Sequence, residues 1–175
     1  MKKVFSLFIF LCLSVIAVSA QTIGEIRFEG IKRTNQNYLL KMVGLSVGGN
    51  WNESIKSSAI SKLTALDKIV EKVEITESEG QNDTVIVTIN IQEKYSFLVV
   101  PFFTYGNKAG IKPRVIFRNY NLGGYGKYLG IKGAFSCDDS LDFSVDYKDN
   151  QFLNRDDMTL SVEAAFETSA PNYAV

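Results

Sequence analysis

Hydrophobic and polar positions along this 175-residue chain follow two regimes that meet near Lys94. Before that point two periods alternate. In Ile23–Glu29, Ile26 and Phe28 fall on one face and Glu25, Arg27 and Glu29 on the other, the pattern of a half-buried strand. Gly30 ends it. Thr34 or Asn35 is placed to cap a short helix running to Met42, with Tyr38, Leu39 and Met42 at helical spacing. The stretch VGLSVGGN, Val43 to Asn50, reads as a glycine-punctuated loop. Asn52 caps a second helix whose Ile55, Ala59, Ile60, Leu63 and Leu66 form an apolar stripe opposite Lys56, Ser57, Ser61 and Lys62. Ile69–Thr76 predicts a strand, ESEGQND a turn, and Thr84–Gln92 the clearest strand of the chain, with Val85, Val87, Ile89 and Ile91 facing one way. The order β-α-α-β-β lets one sheet face and two helix stripes bury each other, a two-layer α+β domain.

After Lys94 the helical period disappears. FLVVPFFTYG, KPRVIFRNYN, KYLGIKGAFS, LDFSVDYK and MTLSVEAAFE are each about eight to ten residues long and are separated by Gly, Asn or Asp. The alternation is strict in Leu141–Lys148. Two architectures fit such consecutive hairpins. A soluble sandwich would turn the apolar residues inward; a membrane barrel would turn them to lipid and the polar ones to its lumen. Aromatic residues crowd the apolar positions (Phe97, Phe102, Phe103, Phe117, Phe135, Phe143, Tyr147, Phe152), as in an interfacial girdle, which favours the barrel.

The N-terminus favours it too. Lys2 and Lys3, the apolar run Val4–Val18 and the small residues Val18 and Ala20 read as a secretory signal over residues 1–20, cleaved between Ala20 and Gln21. A membrane anchor is the other reading of this run. Cys12, Lys2 and Lys3 leave with the leader, so 17 basic and 19 acidic residues remain, a net charge of −2. That balance gives no electrostatic footprint for nucleic acid. The chain has no histidine, which excludes Ser-His-Asp and Cys-His pairs and most zinc patterns. The one cysteine left, Cys137, has no disulfide partner and no base beside it. Asp138–Asp139 and Asp156–Asp157 lie in turns, where solvated caps are the ordinary reading. No enzyme, cofactor or metal site is expected.

RNYNLGGYGKYLGIKGAF, Arg118 to Phe135, offers a phosphate loop, a linker or a hairpin turn. A phosphate loop would need a glycine where Asn121 stands and a Ser or Thr where Tyr128 stands. The flanking alternation makes it a turn between strands Lys112–Asn119 and Lys127–Ser136, with Gly123, Gly124 and Gly126 supplying torsions closed to other residues.

These pieces together resemble a known family. IGEIRFEGIKRT looks like the opening of a POTRA domain, GLSVGGNWNESIKSSAISKLTAL its loop and second helix, and VEKVEITESEGQNDTVIVTINIQEK its closing hairpin, ending on Glu93-Lys94. Asn121-Leu122-Gly123-Gly124-Tyr125-Gly126 resembles the Asn-Leu-Phe-Gly-x-Gly turn early in the barrel of the BamA/TamA superfamily of outer-membrane assembly factors (bacterial surface antigen type), with Gly123 in place of the aromatic. The resemblance implies a POTRA domain over 21–94, followed over 95–175 by the first strands, about five, of an antiparallel transmembrane β-barrel left incomplete in this chain. Since single-chain bacterial barrels need at least eight strands, the expectation is a fragment or a truncated reading frame. A protein that closes a barrel with other copies is the remaining option.

The function implied is assembly and insertion of outer-membrane proteins, or translocation, with the POTRA domain in the periplasm. The partners implied are unfolded outer-membrane or secreted client chains, periplasmic accessory subunits and outer-membrane lipid. Clients would add as a strand to an exposed sheet edge, for which Val70, Glu71, Lys72, Val73, Glu74, Ile75 and Thr76 are the candidate. The first barrel strand, Phe97–Tyr105, would be the lateral seam, with Pro101 and Lys94-Tyr95-Ser96 beside it. A two-partner-secretion transporter and a soluble periplasmic binding module are the alternatives.

Overall fold

The computed structural model describes residues 21–106, 110–136, 140–155 and 157–168. The leader with its Ala20 cleavage position, Cys137, Asp138, Asp139 and Asp156 lie outside the described residues.

The N-terminal unit is β1 (Gln21–Glu29), α1 (Gln36–Val43), β2 (Asn50–Trp51), α2 (Glu53–Thr64), β3 (Val70–Glu79) and β4 (Thr84–Glu93). The sheet order is β2-β1-β4-β3, with β1 parallel to β4 and the other neighbours antiparallel. The expected order therefore gains a strand. At two residues, β2 is too short to show a period, yet it delivers Trp51 to the core, where the side chain is 2% exposed. The strand β3 runs on to Glu79, three residues past the expected end, because Glu77–Glu79 keep pairing with Val85–Val87.

Two asparagines start the helices. Asn35 Oδ1 accepts from Asn37 N at 2.9 Å and Asn52 Oδ1 from Ile55 N at 2.9 Å, each filling an orphan donor of the first turn. Asn35, rather than Thr34, is thus the cap of α1. Leu39, Ala59 and Leu63 from the helices share one buried core with Val85, Val87, Ile89 and Ile91 of β4. Ile26, Phe28, Ile55, Ile60 and Val73 pack around this centre. A register shift between Ile23 and Glu25 turns Ile23 inward as well, against simple alternation.

The C-terminal unit is a five-stranded antiparallel meander in chain order: β5 (Phe97–Gly106), β6 (Gly110–Leu122), β7 (Lys127–Phe135), β8 (Leu141–Asp149) and β9 (Leu160–Glu167). β6 outlasts its expected end at Asn119 through a register shift that re-pairs Leu122 with Lys127. β9 starts two residues later than Met158, whose carbonyl instead accepts Phe152 N at 3.0 Å and closes the β8–β9 connection. Among the described residues β5 and β9 are edges and no barrel is closed.

The ladders sort the side chains cleanly. One rung on one face is Val99, Phe117, Ile131, Val145 and Ala164; the next is Pro101, Val115, Gly133, Phe143 and Phe166. On the opposite face one rung is Leu98, Arg118, Gly130, Asp146 and Glu163, and another is Phe102, Arg114, Ala134, Asp142 and Glu167. Lys112 pairs with Asp142 and Lys132 with Asp146 across this second face. The first face is apolar and open, with Phe103 74%, Phe166 57% and Phe143 45% exposed. A sandwich would have covered it.

Candidate functional site

Two places join chemistry to architecture: the free edge of the first sheet and the junction between the two units. At the edge, β3 carries all seven candidate residues, Val70 to Thr76, and among the described residues β4 is its one strand neighbour. Val70 and Ile75 are buried, while Glu71, Lys72, Glu74 and Thr76 point outward. Lys72 is ion-paired with Glu74, and Glu71 accepts from Gln92 Nε2 at 3.0 Å. A bulge at Glu71 shifts the register between Val70 and Lys72 and twists the start of the edge. Beyond it, from Lys72 to Glu79, the ladder is regular and its outer side carries backbone groups free to pair.

The junction is the feature that sequence reasoning missed. The turn Gly123–Gly126 does reverse the chain between β6 and β7, with φ of 67°, 84° and 64° at Gly123, Gly124 and Gly126. It also docks on the β1–α1 loop of the N-terminal unit. Asn35 N donates to Gly124 O at 2.9 Å, and Asn35 Nδ2 to the Tyr125 hydroxyl at 3.0 Å. Asn121 is buried; its Nδ2 donates to Thr34 Oγ1 at 2.9 Å while its Oδ1 accepts Gly126 N at 2.8 Å. Leu122 closes the ladder opposite Lys127, and its carbonyl accepts Tyr125 N at 3.4 Å within the turn. A side chain at Gly124 would place its Cβ 2.6 Å from Arg33 O, and one at Gly126 would strike the Tyr38 hydroxyl. Lys127, the residue that imitates a phosphate-loop lysine, is ion-paired with Asp149 at 3.1 Å.

Glu93, the last residue of β4, completes the junction from below. Its carboxylate accepts Lys32 N at 3.1 Å, Arg33 N at 3.0 Å and Thr34 N at 2.9 Å. Burial pushes the Glu93 carboxyl up, but the Thr34 hydroxyl and the amides of Thr34, Lys32 and Arg33 outweigh it and hold it below the ordinary glutamate range. A polar relay thus runs from Glu93 through Thr34 to Asn121. The signals were present separately, as a cap at Thr34 or Asn35, a closing Glu93 and a glycine turn; a contact across some sixty to ninety residues has no local period. Beside the junction a cleft of about 670 Å³ opens between the helices and the sheet, lined by Tyr38, Lys41, Lys62, Tyr120, Tyr128 and Gln151 among others.

The POTRA family profile, described as a surface antigen variable number repeat, matches residues 21–94. Over residues 21–94 the chain is therefore similar to a POTRA domain. Of solved structures, BamA from Haemophilus ducreyi lacking POTRA domains 1–3 is similar, with a TM-score of 0.65 and 24% identity over 84% of this chain and 27% of that one. That coverage reaches far beyond the POTRA domain, so it takes in the meander, which has the fold of part of the BamA barrel. The comparisons bear out the POTRA resemblance of residues 21–94 and the fold class read from the sequence. CdiB from Escherichia coli gives 0.48 at 18% identity, and CdiB from Acinetobacter baumannii 0.44 at 14%, each over 74% of this chain and 25% of the other. No curated protein matches. The chain spans about a quarter of the length of the structures it resembles.

Proposed function

We propose that this chain works, without catalysis, in the assembly or translocation of outer-membrane or secreted proteins. Its POTRA domain would stand in the periplasm and its meander in the outer membrane. The observation that carries the reading is the sorted meander, with one face predominantly apolar and open and the charged residues gathered on the other. Such a face suits hydrocarbon, and an antiparallel sheet is one of the two backbone arrangements that lipid tolerates once closed. The POTRA domain captures an unfolded client as an added strand along Lys72–Glu79, where main-chain pairing is indifferent to client sequence. The junction then holds that domain at one end of the meander, where β5 begins.

The test uses a photo-activated cross-linker at Glu74 on β3 and, separately, at Ser57 on α2. The client is an unfolded outer-membrane β-barrel protein diluted from urea. Strand addition predicts strong cross-links from Glu74 and weak ones from Ser57, with newly slowed hydrogen exchange confined to β3. Equal cross-linking from both positions overturns the edge reading.

A further inference from the structure

On the apolar side of the junction, aromatic rings and cations meet. Phe97 opens β5 on the apolar face, where it shares a rung with Asn119, and is 50% exposed. The Tyr95 ring meets it edge-on at 6.3 Å between centroids and is 76% exposed. The Arg33 guanidinium lies 4.5 Å above the Tyr95 centroid, a cation–π contact. Lys32, beside it, is exposed. Among the described residues neither the Lys32 nor the Arg33 side chain pairs with a carboxylate. Glu93 turns its carboxylate to their backbone amides.

We infer that Lys32, Arg33, Tyr95 and Phe97 form a lipid-contacting patch by which the POTRA domain binds an anionic phospholipid headgroup at the membrane surface. The inference rests on the membrane reading of the meander. If the apolar face lies in hydrocarbon, Phe97 sits at the boundary and Tyr95 one step outside it, the depth at which amphipathic rings settle. Arg33 and Lys32 then reach the phosphate layer, where unneutralised cations favour anionic lipid. The Glu93 clamp and the Gly124 contact fix the loop that carries both cations, so the charges are presented rather than searching.

The test mixes the full chain with vesicles of phosphatidylcholine alone, or with three parts in ten phosphatidylglycerol, and measures partitioning by flotation. Each cation near an anionic surface is worth a factor of about five. Lys32→Gln with Arg33→Gln should therefore cut partitioning to the anionic vesicles by about 30-fold and leave the neutral ones unchanged. Arg33→Lys with Lys32 intact should retain most of it. The control Arg27→Gln with Lys56→Gln removes the same charge farther along the POTRA domain, opposite Thr88 and beside Glu77, and should change partitioning by less than about threefold, since distant charges are screened. An equal loss in the control would make the attraction one of overall charge and overturn the patch. Binding to both vesicle types with no preference for the anionic one also overturns it, while leaving the membrane reading intact. Failure to bind either vesicle sinks both.

Discussion

The three turn glycines provide an internal control for what the turn is for. All three have φ between 64° and 84°, so alanine at any of them pays about 1–2 kcal/mol for left-handed backbone. Gly123 meets nothing but the ring of Tyr125, its neighbour but one, at 3.6 Å. Its replacement should cost that strain and little more. At Gly124 the new Cβ would lie 2.6 Å from Arg33 O and 3.0 Å from Asn35 N, both backbone atoms that cannot rotate away. The docked surfaces must separate. That forfeits the Asn35 N to Gly124 O bond and strains the buried Asn121–Thr34 bond, at about 0.5–1.5 kcal/mol for each bond lost. Gly124→Ala should therefore cost about 2–5 kcal/mol against about 1–2 for Gly123→Ala. Amide hydrogen exchange reads the difference by position. In Gly124→Ala the Asn35 amide should lose protection, while the Lys32 and Arg33 amides, held by Glu93 within the POTRA domain, keep theirs. If Gly123→Ala exposes Asn35 as fully as Gly124→Ala does, the glycines serve chain reversal alone and the docking argument fails.

Leu63 is fully buried between α2 and the sheet, so Leu63→Ala should lower POTRA stability by about 2–5 kcal/mol, read by denaturant unfolding. A cysteine at Val145, in a Cys137→Ser background, should resist water-soluble maleimide and, once dyed, be quenched by lipid-chain quenchers, whereas one at Asp146 should do the reverse; equal reactivity would contradict the sorted faces. Glu93 has a folded pKa depressed below its ordinary value, so its contribution is present above the unfolded carboxylate range and is lost as pH falls through the folded pKa. Glu93→Gln should thus cost about 1–3 kcal/mol at neutral pH. The gap to the wild-type chain should close as pH falls below about 4.5, and a gap independent of pH would remove the carboxylate from the account.

Local periodicity carried most of the fold. Val85, Val87, Ile89 and Ile91 announce a strand because side chains alternate, and β4 is that strand, buried on the announced face. Asn52 was legible as a cap because its chemistry acts within three residues. The misses share a cause. A two-residue strand such as β2 has no period, and the register shift at Ile23 hides in an alternation it interrupts only once. The edge position of Val70–Thr76 could be guessed from its charges, but those charges also describe an inert edge, and only the sheet order distinguishes an edge from a middle strand. The docking of Asn121 on Thr34 spans 87 residues and involves ordinary turn and cap residues, so nothing nearby marks them as partners.

The parallel pairing of β1 with β4 sets an order of events as the chain folds. Thr22 pairs with Thr84 and Glu29 with Asn90, so β1 has no long partner until some sixty more residues have been made. Until then Ile23, Ile26 and Phe28 travel uncovered, with only the Asn50–Trp51 stub to pair against. Closing so wide a loop is slow compared with a hairpin. By contrast β3 and β4 are neighbours joined by a tight turn and can form as soon as both have emerged. The POTRA domain would then be completed backwards, its first strand last. For that interval the protein exposes an unpaired apolar strand of its own, and it needs the same protection against mispairing that its proposed clients need.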